Sequence, residues 1–219
     1  GSTAISQMTV SDAVYEIRYD FDLENDILDI PSGCTLFFNG GSLKNGSIVF
    51  NKTKLRGVPR IFSNVSGNIY DNEINLDYFI EDFTTDVTDI FNKVISIAKV
   101  VKLKSRSYVV NGTVNLLNGT WILGKGGTIS SIGVEDLFVC PSNARGCRIE
   151  GLTLNTTYNS SNSGSAIKFN TTNGGADHII RDMFINGWKY GLYAGNIWWN
   201  STVENVKFTA CGVSIGIYG

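Results

Sequence analysis

The only histidine of the chain, His178, is the first candidate for acid–base chemistry. It follows Asp177 directly and stands three residues before Arg181, so an acid–base cluster can be drawn from these side chains. General acid–base catalysis requires an imidazole that is held by fixed neighbours. The corresponding positions ahead of two related repeats, described below, carry Cys147-Arg148 and Ser201-Thr202, so the position varies between repeats. The sequence therefore favours a structural histidine, and we predict no catalytic residue within this chain.

The cysteines show no spacing typical of a metal centre and no partner histidine. They are Cys34, Cys140, Cys147 and Cys211. Zinc sites in sequences are usually indicated by short paired spacings of cysteine and histidine. Cys140 and Cys147 flank a short polar stretch, so the sequence leaves undecided whether they form a disulfide. A stacked β core does not need such a crosslink. We predict no metal site and no cofactor.

Aromatic side chains are the stronger candidates for binding chemistry. A cluster of them falls within a dozen residues, and one more lies in the polar run that precedes it: Trp188, Tyr190, Tyr193, Trp198, Trp199 and Tyr158. The apolar C–H faces of sugars stack on aromatic rings, while polar side chains bind the hydroxyl groups. We predict that a carbohydrate-binding surface includes Tyr158, Tyr193, Trp198 and Trp199.

Two rings of this cluster are expected to be structural. Trp188 and Tyr190 align with Cys211 and Val213 of the next repeat and should fill the core. The pair at 198–199 lies outside the repeat frame, in the turn before the third copy. Because adjacent side chains of an extended segment point to opposite faces, one of these two rings should be structural. The other should face a glycan or a neighbouring subunit.

A short pattern that occurs three times must position these side chains. The copies begin at Ile149, Ile180 and Val203, and each runs apolar, charged, small or polar, apolar, variable, apolar, polar. From Ile180 to Val203 the step is 23 residues, and the first step is longer because a polar loop at 156–165 is inserted. A fixed step with alternation inside each copy predicts the stacked coils of a parallel β-helix. Leucine-rich repeats are excluded, because the required leucines are missing, whereas Asn, Gly, Thr and Asp suit the corners of a β coil.

Composition excludes several classes of partner. Charged residues make up 17% of the chain and the net charge is -2, so no surface for nucleic acid or anionic membrane is indicated. No apolar run approaches the ~20 residues of a membrane span, so we predict no membrane insertion. Gly1-Ser2 is typical of a cloning scar.

We predict four segments from these patterns. Residues 1–13 form a tag and flexible N-terminus, and residues 14–70 form a small β-rich section. Residues 71–85 are rich in carboxylates, which invites comparison with glycosidase acid pairs but fits an acidic linker better. Residues 86–219 comprise a helix at Asp86 to Lys99 and the first coils of the main β-helix. The apolar face of that helix (Val87, Ile90, Phe91, Val94 and Ile95) should cap the first coil.

The order of these elements carries a family resemblance. The helix, followed by Val100 to Leu116 and Gly119 to Ile129, resembles the opening of the pectate-lyase-like right-handed β-helix superfamily. Val14 to Leu23, together with Asn39 to Gly46, resembles tail spike and tail fibre proteins of crAss-like bacteriophages and related prophages of gut Bacteroidales. The resemblance implies an all-β, right-handed parallel β-helix and a virion (tail) location. It also implies contact with other virion tail proteins, a homo-trimer, and host attachment through bacterial surface polysaccharide.

Two other functional classes remain open at this point. In the first, the chain is part of a polysaccharide lyase or glycoside hydrolase whose active groove lies beyond residue 219. In the second, it is an architectural stalk. Because the strand-like run from Val213 to Tyr218 ends the sequence, we expect a fragment. We also expect a trimer with part of Tyr193, Trp198 and Trp199 at the subunit contacts.

Overall fold

The computed structural model describes residues 8–132, 135–142, 144–156, 164–170, 175–195 and 198–217, except for the side chains at 198–199. The predicted all-β fold with stacked parallel coils is confirmed. Contacts divide the chain into two compact units, of which the first comprises 1–82 and 93–99 and the second comprises 83–92 and 100–219. Among the described residues, no helix has the length and apolar character needed to cross a bilayer.

The first unit is a set of short parallel ladders. Thr35 of the fourth strand pairs with Val14 on one side and with Lys54 on the other, so the chain returns to the same sheet after about 20 residues. Inward side chains such as Leu36, Ile48 and Phe50 are buried. The strands are β1 (Val14–Ile17), β2 (Asp20–Asp22), β3 (Ile27–Asp29), β4 (Thr35–Phe38), β5 (Ser42–Gly57), β6 (Ile61–Ile69) and β7 (Glu73–Asn75).

The acidic segment after Tyr70 is anchored by apolar side chains. It contains β7 and a 3-10 helix at Leu76–Phe79, where the side chain of Asn75 accepts a hydrogen bond from the backbone N–H of Asp77 at 3.1 Å. Four of its apolar side chains are buried: Ile74, Leu76, Phe79 and Ile80. The carboxylates of this segment thus lie on a structured part of the chain.

The described strands of the second unit form three parallel sheets. Its strands are β8 (Val100–Leu103), β9 (Ser107–Val109), β10 (Val114–Asn115), β11 (Trp121–Ser131), β12 (Phe138–Cys140), β13 (Arg148–Thr156), β14 (Ser165–Phe169), β15 (Gly175–Ala176), β16 (Ile179–Asn186), β17 (Tyr190–Ala194), β18 (Trp198–Trp199), β19 (Thr202–Thr209) and β20 (Val213–Ile217). One sheet has the order β19-β16-β13-β11-β8, with β9 also on β11. The second has the order β10-β12-β14-β17-β20, and the third pairs β15 with β18.

The repeat alignment predicted from the sequence is confirmed by the strand register. Ile180 pairs with Ile149 on one side and with Val203 on the other. At the following position of each strand, Arg181 pairs with Glu150 on one side and with Glu204 on the other. Its Nε lies 2.7 Å from Glu150 Oε2. The same carboxylate also pairs with Arg148, at 2.6 Å. Neighbouring repeats therefore contact each other at equivalent positions.

The small or polar position of each repeat is a corner with left-handed backbone. Gly151, Asp182 and Asn205 have φ angles of 69°, 54° and 49°. The side chain of Asn205 donates a hydrogen bond to Asp182 Oδ1 at 2.7 Å, which links two successive corners. At Gly151 a Cβ atom would lie 2.3 Å from the carbonyl oxygen of Gly124, so no larger residue fits there. The predicted use of Gly, Asn and Asp at corners follows from this geometry.

The single α-helix of the described residues, α1, covers Thr88–Ile97, inside the predicted range. Its predicted apolar face is divided between the two units. Val87 and Phe91 are buried and belong to the second unit, where the Phe91 ring meets Phe138 edge to face at 5.9 Å. Val94 and Ile95 are also buried, but by their contacts they belong to the first unit. Only part of the face therefore covers a coil of the main solenoid.

The carboxylate of Asp86 holds the start of α1, and we expect its loss to be measurable. Asp86 Oδ1 accepts hydrogen bonds from the backbone N–H and the hydroxyl of Thr88, at 3.0 and 2.6 Å, and from the backbone N–H of Asn111 at 3.1 Å. Burial by itself would raise the pKa of Asp86, but these hydrogen bonds outweigh burial and lower it. Asp86→Ala should reduce the free energy of unfolding by about 1–2 kcal/mol at neutral pH.

The sign of the pKa shift fixes the pH dependence of this effect. Because the pKa is lowered in the folded protein, the stabilisation is present above the ordinary aspartate value of about 3.9 and is lost as the pH falls through the lowered value. Urea unfolding of both proteins at pH 7 and near pH 3 measures the difference, with exposed Asp29→Ala as the control. A difference that is equally large at both pH values would contradict this role for Asp86.

Candidate functional site

A surface groove with a volume of about 400 Å³ lies in the second unit, where the strands of the second sheet begin. We call it the tyrosine groove, and it is lined by Thr113, Glu135, Asp136, Gly164, Ser165, Lys168, Tyr190 and Tyr193. Its volume falls within the range of about 300–1,000 Å³ that is typical of small-molecule sites. The groove combines aromatic, acidic, basic and hydroxyl side chains.

The register of β14 and β17 places the main groove residues side by side. Lys168 pairs with Tyr193, and Ser165 pairs with Tyr190. Since side chains alternate along a strand, Ile167 points inward and is fully buried, whereas Lys168 stays partly exposed. Stacking of successive coils therefore brings a lysine and a tyrosine together on the outer surface.

The two tyrosines form a defined aromatic unit. The centroids of Tyr190 and Tyr193 are 5.3 Å apart, with the rings inclined at 70° in an edge-to-face arrangement. Lys168 Nζ lies 5.8 Å from the centroid of the Tyr193 ring, and Lys189 Nζ lies 5.4 Å from that of Tyr190. These cations are within the range of attraction to the ring faces.

A network of hydrogen bonds fixes the acidic side of the groove. Asp136 Oδ2 lies 2.6 Å from Lys168 Nζ, and Asp136 Oδ1 accepts the backbone N–H of Ser165 at 2.8 Å. The hydroxyl of Thr113 donates to the backbone carbonyl of Asp136 at 2.8 Å. A Cβ atom at Gly164 would lie 2.1 Å from the carbonyl oxygen of Glu135, so a glycine is required where these chain segments meet. The polar groups are thus held in place before any ligand arrives.

The structure places only some of the residues that were predicted to bind carbohydrate. Tyr193 lines the groove. Tyr158 lies outside the described residues, and so do the side chains of Trp198 and Trp199. Tyr190, expected in the core, instead lines the groove and is partly exposed, because it begins its strand at a corner of the coil. Trp188 is fully buried, as expected of a residue that fills the core.

The placement of residues 198–199 outside the repeat frame was wrong. They form β18, which pairs in parallel register with β15, so that the backbone of Trp198 pairs with that of Gly175 and the backbone of Trp199 with that of Ala176. Each of these strands has only two residues, which is too short for an alternating pattern to be visible in the sequence. The strands β15 and β18 together form the third sheet of the second unit.

A buried cluster corrects the prediction that the cysteines have no histidine partner. The thiol sulfurs of Cys140 and Cys147 and a ring nitrogen of His178 all lie within 4.8 Å of one another, and all three residues are buried. Arg148 pairs with Ile179, so the preceding residues, Cys147 and His178, are neighbours in adjacent coils. Sequence reasoning used this alignment only to argue that the position varies, although it also implied contact.

The surroundings of this cluster are apolar. His178 is 1% exposed, its ring lies 4.5 Å from that of Phe169, and neither ring nitrogen has a hydrogen-bond partner. An unsatisfied buried polar group costs about 1–3 kcal/mol. Both cysteines are free thiols. Hydrogen bonding from Cys140 lowers the pKa of Cys147, whereas burial raises the pKa of Cys140.

Comparisons with known proteins give no family assignment: the chain matches no protein-family model, no curated protein and no solved structure.

Proposed function

We propose that this chain is part of a bacteriophage tail spike or tail fibre that attaches to polysaccharide on a bacterial surface, and that the tyrosine groove contacts the sugar. The observation that supports this proposal best is the Tyr190–Tyr193 pair beside the ion pair of Lys168 and Asp136. Aromatic faces next to fixed polar groups are what a sugar ring requires, because it has apolar faces and a hydroxyl-bearing edge.

Five of the groove residues have a direct role in this proposal. Tyr193 offers its ring to the C–H face of a sugar, and Tyr190 supports that ring from the side. The carboxylate of Asp136 accepts hydrogen bonds from sugar hydroxyls, and so does the oxygen of Thr113, whose proton is donated to the carbonyl of Asp136. Lys168 attracts the carboxylate of an acidic sugar. Because the network around Asp136 is formed within the protein, little side-chain ordering is left to oppose binding.

The virion location and the trimeric state belong to the same proposal. A rigid stack of parallel coils suits a protein that presents a binding surface at a distance from a particle. Alternate apolar side chains on β20 are exposed, at 37% for Val213, 43% for Ile215 and 59% for Ile217. These side chains occupy inward positions of the coil, since Ile215 pairs with the buried Leu192, so they do not mark an outer surface of the solenoid. The homo-trimer and the contacts with other tail proteins are proposed from the resemblance to tail proteins alone.

Truncation of the groove aromatic should weaken glycan binding selectively. We expect Tyr193→Ala to reduce affinity for a glycan identified on a bacterial glycan array by about tenfold or more, because the stacking face is lost. Titration calorimetry with the purified oligosaccharide measures the change. Tyr19→Ala is the matched control, since Tyr19 is 72% exposed, lies in the first unit and does not line the groove.

Two results would contradict the assignment. Equal affinity of the wild-type protein and Tyr193→Ala would place the sugar elsewhere on the chain. Cleaved sugar with new reducing ends or unsaturated uronates in the same samples would favour a polysaccharide lyase or glycoside hydrolase over a binding protein.

A further inference from the structure

We propose that Cys140, Cys147 and His178 form a site for a thiophilic divalent cation such as Zn²⁺ inside the second unit. The three donor atoms converge on one point of the interior, although His178 lies 31 residues after Cys147 in the sequence. This inference is independent of the sugar-binding proposal, because none of the three residues lines the tyrosine groove.

The spacing of the donor atoms suits tetrahedral coordination. Zinc binds sulfur at about 2.3 Å and histidine nitrogen at about 2.0–2.1 Å, so two ligands of one tetrahedral zinc are separated by about 3.5–3.8 Å. The donor atoms of the cluster all lie within 4.8 Å of one another. No pair therefore has to approach by much more than about 1 Å for the ion to be bound. Side-chain rotation can supply a movement of this size without displacing the strands.

The chemistry of the donors selects the class of metal. Thiolate sulfur and imidazole nitrogen bind zinc and other thiophilic ions in preference to Mg²⁺ or Ca²⁺, which require oxygen ligands. Each thiol gives up its proton when it binds the ion. Three protein ligands leave one position of the tetrahedron for a water molecule or an anion.

The state of His178 is a second observation that points to a ligand. Its side chain is almost completely buried, and neither ring nitrogen meets a hydrogen-bond partner. Buried polar groups are nearly always paired in native proteins, so an imidazole in this state needs explanation. A bound metal would give one of its nitrogens a partner in place of the missing hydrogen bond.

The position of the cluster in the coil explains what the ion would do. Cys140 ends β12 and Cys147 precedes β13, so both lie in one coil, whereas His178 precedes β16 of the next coil. The backbone N–H of Ile179 already donates to the carbonyl of Cys147 at 3.0 Å. A metal held by all three side chains would join two successive coils at one corner, so that its binding stabilises the folded solenoid.

Cobalt provides the direct test. We expect the reduced full chain, freed of metal by a chelator, to bind one Co²⁺ ion per chain, with thiolate-to-cobalt charge-transfer bands and the intense visible bands of tetrahedral cobalt. Zn²⁺ should abolish these bands by displacement and should raise the melting temperature. Cys147→Ser and His178→Gln should each lose or strongly weaken the cobalt spectrum. Cys34→Ser is the matched control, because Cys34 is also a buried free thiol but lies in the first unit.

The cobalt spectrum of the wild-type protein decides for or against the metal site even if a variant fails to fold. Absence of cobalt–thiolate absorption in the folded, reduced wild-type protein overturns the proposal. An unchanged spectrum in folded Cys147→Ser does the same. A Cys140–Cys147 disulfide, detected by intact mass without reductant, overturns it if the reduced protein also fails to bind cobalt. None of these results alters the expected effect of Tyr193→Ala on glycan affinity.

Discussion

Replacement of Phe91 by alanine is expected to lower the free energy of unfolding by about 3–5 kcal/mol. The Phe91 ring is fully buried in the second unit and meets the ring of Phe138 edge to face at 5.9 Å, with an interplanar angle of 85°. Alanine removes the apolar area of the ring and leaves a cavity between a helix and a β coil. The coil is held by ladders of backbone hydrogen bonds, so it can collapse only slightly into that space.

Urea unfolding, followed by circular dichroism and by tryptophan fluorescence, measures this loss. Ile90→Ala is the matched control, because Ile90 lies on the same helix but is only partly buried. Its loss should be clearly smaller than that of Phe91→Ala. A soluble Phe91→Ala protein with unchanged unfolding would show that the helix adds nothing to the stability of the coil against which it packs.

The repeat could be predicted from the sequence because its signal is local and periodic. Ile149, Ile180 and Val203 begin equivalent strands, and alternation along each strand indicates which side chains point inward. The use of Gly, Asn and Asp at corners could also be predicted, since only a few residue types tolerate left-handed backbone. Both features depend on neighbours along the chain or one coil away.

The candidate sites depend on contacts that such patterns do not show. Cys140 reaches Cys147 and His178 only because the chain turns between two sheets, and the spacing of 38 residues between Cys140 and His178 carries no metal signature. Tyr190 begins its strand at a corner, where alternation does not decide which way a side chain points. The alignment of Cys147 with His178 was visible in the sequence and should have suggested contact.

Substitutions of Trp188 separate two contributions of a buried indole to the free energy of unfolding, that of the ring volume and that of the N–H group. It is the largest fully buried side chain of the described residues, and its indole nitrogen has no hydrogen-bond partner. We expect Trp188→Ala to lower the free energy of unfolding by about 3–5 kcal/mol, because a large cavity opens inside the coil. Trp188→Phe should cost much less. It keeps most of the ring volume and removes an unsatisfied N–H, whose burial costs about 1–3 kcal/mol.

The matched control for this comparison is Trp121, whose indole N–H is bonded. Trp121 is 40% exposed, and its Nε1 donates to the carbonyl of Gly146 at 3.1 Å. Trp121→Phe therefore loses a hydrogen bond of about 1 kcal/mol and little packing. Urea unfolding of the three variants should rank Trp188→Ala as by far the least stable, with both phenylalanine variants close to the wild-type protein. If Trp188→Phe is as damaging as Trp188→Ala, the indole N–H has a partner inside the coil and the interior is more polar than its lining implies.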